Sequence, residues 1–122
     1  MIAAGFGFRE SATRESLADA LRRACASPAP AWLATAEDKA DHPALVALAA
    51  ELGVGVRPIP SADLETQATL TRSRRSSEAR NTGSVAEAAA LASLGPGARL
   101  IASRSISGDR CATCALARKD TT

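Results

Sequence analysis

Residues Ile2–Glu15, IAAGFGFRESATRE, indicate a short apolar strand that leads through a glycine turn into a helix, and the predicted fold is built around this unit. A short, continuous apolar run is typical of a strand buried in a parallel sheet. Gly5 and Gly7 allow the backbone to turn sharply and leave room for a ligand to come close. Ser11 or Thr13 can cap the helix, since a hydroxyl oxygen accepts from its free N–H groups. The stretch therefore predicts a ligand-binding turn at the carboxyl edge of a parallel sheet.

This turn is suited to an anion. The free N–H groups at the start of a helix favour a negative charge beside them. Arg9 adds a positive side chain at the same place.

The composition limits the class of protein. The chain has 122 residues, which predicts a single domain over residues 1–122. Hydrophobic residues make up 46% and aromatic residues 2%, so the core must consist mainly of Ala, Leu and Val. The net charge of +2 gives no general positive field for nucleic acid, and we expect no nucleic-acid partner.

We expect the protein to be cytoplasmic. No apolar run is long enough to predict a membrane span, and the N-terminus lacks the pattern of a secretory signal peptide. Cys25, Cys111 and Cys114 are odd in number and are expected to be reduced thiols.

Alternating strand and helix patterns predict an α/β fold, a three-layer α/β/α domain with a mainly parallel, mixed sheet of about five strands. The last strand is parallel or, through a hairpin at Ser107-Gly108-Asp109, antiparallel. Its predicted strands are Ile2–Phe8, Ala31–Ala36, Val54–Ile59, Arg99–Ser103 and Cys111–Leu116. Its predicted helices are Thr13–Ala26, a helix from Asp41 or His42 to Gly53 with Pro43 in its first turn, and a helix that ends at Leu94. Pro58 and Pro60 favour an edge position for the third strand.

The segment Ser61–Thr82 is polar and predicts a mobile loop with a short helical turn near Ala62–Gln67. Its arginines, at positions 72, 74, 75 and 80, belong either to a solvated loop or to an anion clamp. Ser84 and Glu87 then form a capping box, which predicts that the next helix begins at Ser84.

Three motifs have both a functional and a structural interpretation. Gly5 and Gly7 form the first part of a dinucleotide-binding pattern, but Glu10 stands where its third glycine would be, so the glycines can equally serve only to shape the chain. Cys111 and Cys114 have the spacing of a redox or zinc pair, yet a strand directs them to opposite faces, which favours simple packing. His42 at a helix start is expected to be a capping residue. We predict no metal and no cofactor.

Several segments together resemble one family. The segment GFGFRESATRESLADALRRA resembles its Gly-rich strand and Ser-rich helix start, and LATAEDKADHPALVALAAELGV resembles its Thr-bearing strand end, Lys and helix. The segment NTGSVAEAAALAS is similar to its Thr-Gly turn, and SRSISGDRCATCALAR matches its closing hairpin in outline. The family is that of CobE and the C-terminal domain of CbiG, of cobalamin (vitamin B12) biosynthesis. The resemblance runs from Ile2 to about Arg118 and departs from the family at Cys111 and Cys114.

The resemblance implies a place in corrin metabolism. CbiG opens a lactone ring of a cobalt-corrinoid intermediate, so a catalytic role would imply a hydrolase-like step on a corrinoid. The resemblance to CobE implies a place in the pathway more strongly than it implies a particular reaction. Two classes of function stay open, a protein that binds or processes a corrinoid or precorrin and an accessory domain that supports another corrin-pathway enzyme. A nucleotide-binding domain is the third alternative.

Corrin intermediates carry many acetate and propionate side chains, which cations and backbone amides can bind. The parallel sheet is expected to bring such groups together at its carboxyl edge, because the turns that follow its strands lie there. The predicted ligand-binding residues are Gly5, Gly7, Arg9, Thr35, Lys39, Thr82, Gly83 and Ser84.

Overall fold

Strand β1 (Ile2–Phe8) lies in the middle of the sheet, as its unbroken apolar run predicts. The computed structural model describes residues 1–24, 30–64, 82–95 and 97–119, and gives only the backbone of residues 82–84, 103 and 104. The other strands are β2 (Trp32–Ala36), β3 (Gly55–Ile59), β4 (Arg99–Ile106) and β5 (Ala112–Arg118), and the helices are α1 (Arg14–Arg23), α2 (Pro43–Leu52) and α3 (Thr82–Leu94).

The sheet has the order β3-β2-β1-β5-β4. Strands β1, β2 and β3 are parallel, and β5 is antiparallel to both β1 and β4. The structure thus confirms the predicted mixed α/β sheet. Of the two alternatives for the last strand, the structure has the antiparallel hairpin. Strand β3 lies at an edge, as its prolines predict. Strand β4 extends to Ile106 rather than Ser103, because irregular register allows its pairing with β5 to continue.

Helices α1 and α2 cover one face of the sheet. Their core consists of large side chains, with Phe6, Leu17, Leu33 and Leu45 each 0% exposed. Local signals define both helices. Thr13 caps α1 in a capping box with Ser16, and α2 begins after its cap residue His42 and ends at a left-handed Gly53.

Helix α3 covers the opposite face and lies unusually close to β1. A Cβ atom at Gly5 would overlap the carbonyl oxygen of Ala86 and approach the nitrogen of Ala90 to 2.6 Å. The surrounding contacts are small buried residues, among them Ala34 and Ala89. The glycine is therefore required by the contact between helix and strand.

Two predictions about these segments are wrong. Gly5 and Gly7 do not form a turn, because β1 continues through them to Phe8 and both are buried. Helix α3 begins at Thr82, so Ser84 lies inside its first turn and is not the cap residue.

Other predictions fall partly or wholly outside the described residues. Of the predicted mobile loop, residues 61–64 are helical, whereas residues 65–81 with their four arginines lie outside the described residues, as does Cys25.

Substitution Gly5→Ala should destabilise the protein strongly. Added atoms in a packed core cost about 1–3 kcal/mol, and here the obstacle is helix backbone, so we expect about 3 kcal/mol or more from urea denaturation. Gly55→Ala is the matched control, since a Cβ there has no atom within 4 Å, and it should change stability by less than about 0.5 kcal/mol. Equal stability of the two variants would contradict the packing role of Gly5.

Candidate functional site

The carboxyl edge of the sheet collects most of the predicted site. Strands β1, β2 and β3 end there because they are parallel, and β4 ends there because it and β1 both run antiparallel to β5. Helices α1, α2 and α3 follow β1, β2 and β3 along the chain, so they begin at the same edge. Their N-terminal N–H groups and dipoles favour an anion on this side of the molecule.

The Lys39 side chain contacts the end of β1. It lies in a 3-10 turn, Glu37–Lys39, that directly follows β2. Its Nζ donates to the carbonyl oxygen of Phe8 at 2.7 Å and lies 5.2 Å from the centre of the Phe8 ring. An ammonium has three N–H donors, so this anchored group keeps two for other partners.

His42 joins the turn after β1 to the start of α2. Its Nδ1 accepts from the Ala44 N–H at 3.1 Å, so Nε2 carries the hydrogen and donates to the Glu10 carbonyl oxygen at 2.9 Å. The ring also meets Phe8 edge-on, with 5.1 Å between ring centres. The predicted capping role of His42 is confirmed, whereas its contact with Glu10 could not be found from sequence because the two residues lie in separate elements.

Arg9 follows β1 and has an exposed side chain. Its backbone N–H donates to the carbonyl oxygen of Cys111 at 2.9 Å, which joins the end of β1 to the start of β5. Among the described residues, no group forms a hydrogen bond or an ion pair with its guanidinium. Within the described ranges, Arg9 is thus an exposed positive group with no structural partner.

Thr35 is placed differently from the prediction. It is 1% exposed, and its Oγ1 donates to the carbonyl oxygen of Phe6 at 2.9 Å. Its hydroxyl therefore links β2 to β1 inside the sheet.

The other predicted residues divide between the interior of the sheet and its edge. Gly5 and Gly7 lie within β1 and not at its carboxyl end. The predicted Thr82, Gly83 and Ser84 form the first turn of α3 and so lie at the carboxyl edge.

The sequence predicted the turn between β4 and β5 as a hairpin but did not include it in the site, whereas the structure places it at this edge. The Asp109 carboxylate accepts from Ser107 Oγ at 2.6 Å, from Ser16 Oγ at 2.6 Å and from the Cys111 N–H at 3.1 Å. These hydrogen bonds, led by that of Ser107, hold the pKa of Asp109 at about 2. The Gly108 N–H donates to Asp19 in α1 at 2.7 Å, and this hydrogen bond is the main reason that the pKa of Asp19 is lowered.

The two described cysteines have different environments. Cys114 is fully buried, which raises the pKa of its thiol, whereas Cys111 is half-buried beside Asp109. Both are free thiols. In the part of the chain that the structure describes, no group of three or more His, Cys, Asp or Glu side chains could hold a metal ion.

None of the described helices is long and apolar enough to cross a membrane.

Comparison with known proteins gives a consistent result. The family model described as cobalamin synthesis G C-terminus matches residues 2–117. The crystal structure of cobalamin biosynthesis protein chiG from Agrobacterium tumefaciens shares 35% identity and a TM-score of 0.78, covering 99% of this chain and 100% of that one. The structure of CobE, a protein from the cobalamin (vitamin B12) biosynthetic pathway, shares 31% identity and a TM-score of 0.75, covering 100% of this chain and 92% of that one.

A further solved structure shows the fold alone. It is a putative cobalamin biosynthesis protein G homolog from Sulfolobus solfataricus, with 18% identity and a TM-score of 0.69, and the match covers 98% of this chain and 37% of that one. Comparison with curated protein sequences gave no significant match.

The Asp109 hydrogen bonds predict a dependence of stability on pH. Because the folded state lowers this pKa from 3.8 to about 2, the ionised carboxylate stabilises the fold above about pH 4, and this contribution is lost as the pH falls toward 2. We expect Asp109→Asn to lower the thermal midpoint at pH 6, with the difference from the parent disappearing near pH 2. Thermal unfolding measured from pH 2 to pH 6 tests this.

Ser107→Ala is the second variant of this experiment. It removes the donor with the largest effect on the Asp109 pKa, so it should reproduce part of the pH-dependent difference. Parallel midpoint curves for the parent and Asp109→Asn over the whole range would exclude the role given to this carboxylate.

Proposed function

We propose that this chain, which belongs to the cobalamin synthesis G C-terminus family, binds a polycarboxylate corrin intermediate at the carboxyl edge of its sheet. The chain is a cobalamin biosynthesis protein related to CobE and to the C-terminal domain of CbiG.

The observation that carries the proposal is the exposed Arg9 side chain beside an anchored Lys39. Both follow strands that end at the same edge, and Lys39 lies against the last carbonyl group of β1 while Arg9 is the next residue. The first turn of α3, Thr82–Ser84, adds backbone N–H groups and a helix dipole at this edge. Cations of two kinds and helix N–H groups suit a ligand that has several carboxylates.

The two cations differ in what they can do. The Arg9 guanidinium can bind one carboxylate with two parallel hydrogen bonds, whereas the Lys39 ammonium acts as a point charge. An exposed ion pair contributes about 0–1 kcal/mol, but hydrogen bonds to charged groups reach about 1.5–3 kcal/mol when the ligand shelters them from water. The Thr35 hydroxyl donates to the Phe6 carbonyl oxygen inside the sheet, so Thr35 stabilises the two strands that end at this edge.

Substitution Arg9→Ala should weaken corrinoid binding about tenfold or more, equivalent to about 1.4 kcal/mol, and should leave the thermal midpoint almost unchanged. Titration with cobyrinic acid, a cobalt corrinoid with free carboxylate side chains, measures this through the change in corrin absorbance. Arg118→Ala is the control, because it removes an exposed arginine at the opposite end of the sheet, where β5 pairs with Ile2. An affinity loss as large for Arg118→Ala as for Arg9→Ala would argue against a site at the carboxyl edge.

Substitution Lys39→Ala should weaken both binding and folding. It removes a cation from the site and also the hydrogen bond to the Phe8 carbonyl, so we expect about tenfold weaker binding and about 1 kcal/mol lower stability. Calorimetric titration and urea denaturation measure the two effects separately. Unchanged affinity in a folded Lys39→Ala protein would remove this residue from the proposed site.

Two further measurements test the ligand class. Added salt should weaken the binding of cobyrinic acid, because part of the attraction is screened. Cobinamide, whose side chains are amides, should bind more weakly than cobyrinic acid. If the parent protein binds neither corrinoid but co-purifies with a corrin-pathway enzyme, the accessory function replaces the binding function.

A further inference from the structure

We propose that Arg110 is a second guanidinium of this site, held beside Arg9 by the β4–β5 turn so that the two arginines together bind carboxylate side chains of the ligand. The inference rests on the proposed function and adds a residue that no sequence pattern indicates.

The backbone brings the two arginines together. The N–H of Arg9 donates to the carbonyl oxygen of Cys111 at 2.9 Å, and Cys111 is the residue that follows Arg110. Both arginine side chains are exposed. Neither guanidinium has a hydrogen bond or ion pair with any residue in the described ranges. Two available guanidinium groups therefore extend from adjoining backbone segments at the carboxyl edge.

Arg110 occupies a backbone conformation that does not suit it. Its φ is 63°, and within the described residues it is the only non-glycine residue with a positive φ. The Arg110 N–H closes a tight turn by donating to the Ser107 carbonyl oxygen at 2.9 Å, and glycine is common at a left-handed position after such a turn. Glycine or asparagine would form this backbone at lower cost. The turn therefore keeps an arginine at a position where its own backbone preference opposes it.

The neighbouring contacts explain how this conformation is maintained. Asp109 accepts three hydrogen bonds, two within the turn and one from Ser16 in α1, and the Gly108 N–H donates to Asp19. Strained residues persist where surrounding contacts fix them, and they are concentrated at functional sites. The Asp109 carboxylate accepts from hydroxyl and backbone donors, and among the described contacts it forms no ion pair with Arg110. The Arg110 side chain is thus available to a ligand.

The pair selects a ligand with neighbouring carboxylates. Each guanidinium presents a planar set of N–H donors that matches one carboxylate, and two of them on adjoining segments suit two acidic side chains of one molecule. Acetate and propionate groups around a corrin ring have this arrangement. A ligand with a single carboxylate would engage only one of the two arginines.

Three substitutions of Arg110 separate its charge from its backbone conformation. Affinity for cobyrinic acid should follow charge, so Arg110→Asn and Arg110→Ala should bind about tenfold more weakly than the parent, and Arg110→Lys should retain part of the affinity. Stability should follow backbone preference instead. Arg110→Asn should raise the thermal midpoint by a few degrees, while Arg110→Lys should leave it close to that of the parent.

The combined result distinguishes this inference from the proposed function. Weaker binding together with greater stability in Arg110→Asn supports the inference, because a merely structural arginine would change both in the same direction. If Arg9→Ala weakens binding but the Arg110 variants bind as the parent does, the inference is wrong and the proposed function stands. If the parent itself does not bind cobyrinic acid, both are wrong.

Discussion

The direct contact of helix α3 with Gly5 determines much of the arrangement of the molecule. The helix backbone lies where any side chain on Gly5 would be, so the facing surfaces consist of small residues such as Ala34, Ala89 and Ala90. Close packing of this kind leaves α3 little freedom to shift, because protein interiors transmit small displacements to their neighbours. The position of the first turn of α3 relative to the end of β1 follows from this contact. A glycine in the middle of the sheet thereby supports the geometry of its edge.

The sheet topology gives that edge its chemical groups. Parallel strands bring Arg9 and Lys39 to one side, and the antiparallel β5 brings the β4–β5 turn to the same side, although it lies about a hundred residues later in the chain. Some charged groups here serve the fold. Lys39 holds the end of β1, and Asp109 connects the turn to α1. Arg9 has no such task among the described contacts, and it is this difference that separates groups available for binding from groups that support the edge.

Local signals in the sequence predicted most of the fold. The apolar run of β1 and the helix end at Gly53 depend on a few neighbouring residues, and the structure confirms them. Of the caps predicted as alternatives, Ser11 or Thr13 and Asp41 or His42, the structure has Thr13 and His42. The role of Gly5 was missed because a turn and a close helix contact both require glycine, and sequence alone does not distinguish them. The hydrogen bond between Ser16 and Asp109 was missed because it joins positions 93 residues apart, which no local pattern records. Arg9 and Lys39 were placed at one edge correctly, since that follows from the alternation of strands and helices.

The arrangement of this edge also has a thermodynamic consequence. Arg9 and Arg110 carry positive charges without partners in the described structure, and Arg110 is held at a positive φ. The backbone conformation of Arg110 opposes folding slightly in the free protein, because a positive φ is disfavoured for a residue with a side chain. A ligand that binds only the folded state adds stability in proportion to its affinity and concentration. If a polyanion binds at this edge as proposed, it would therefore add its binding free energy to the stability of the folded protein, while the hydrogen bonds of Asp109 and Lys39 hold the edge together without it.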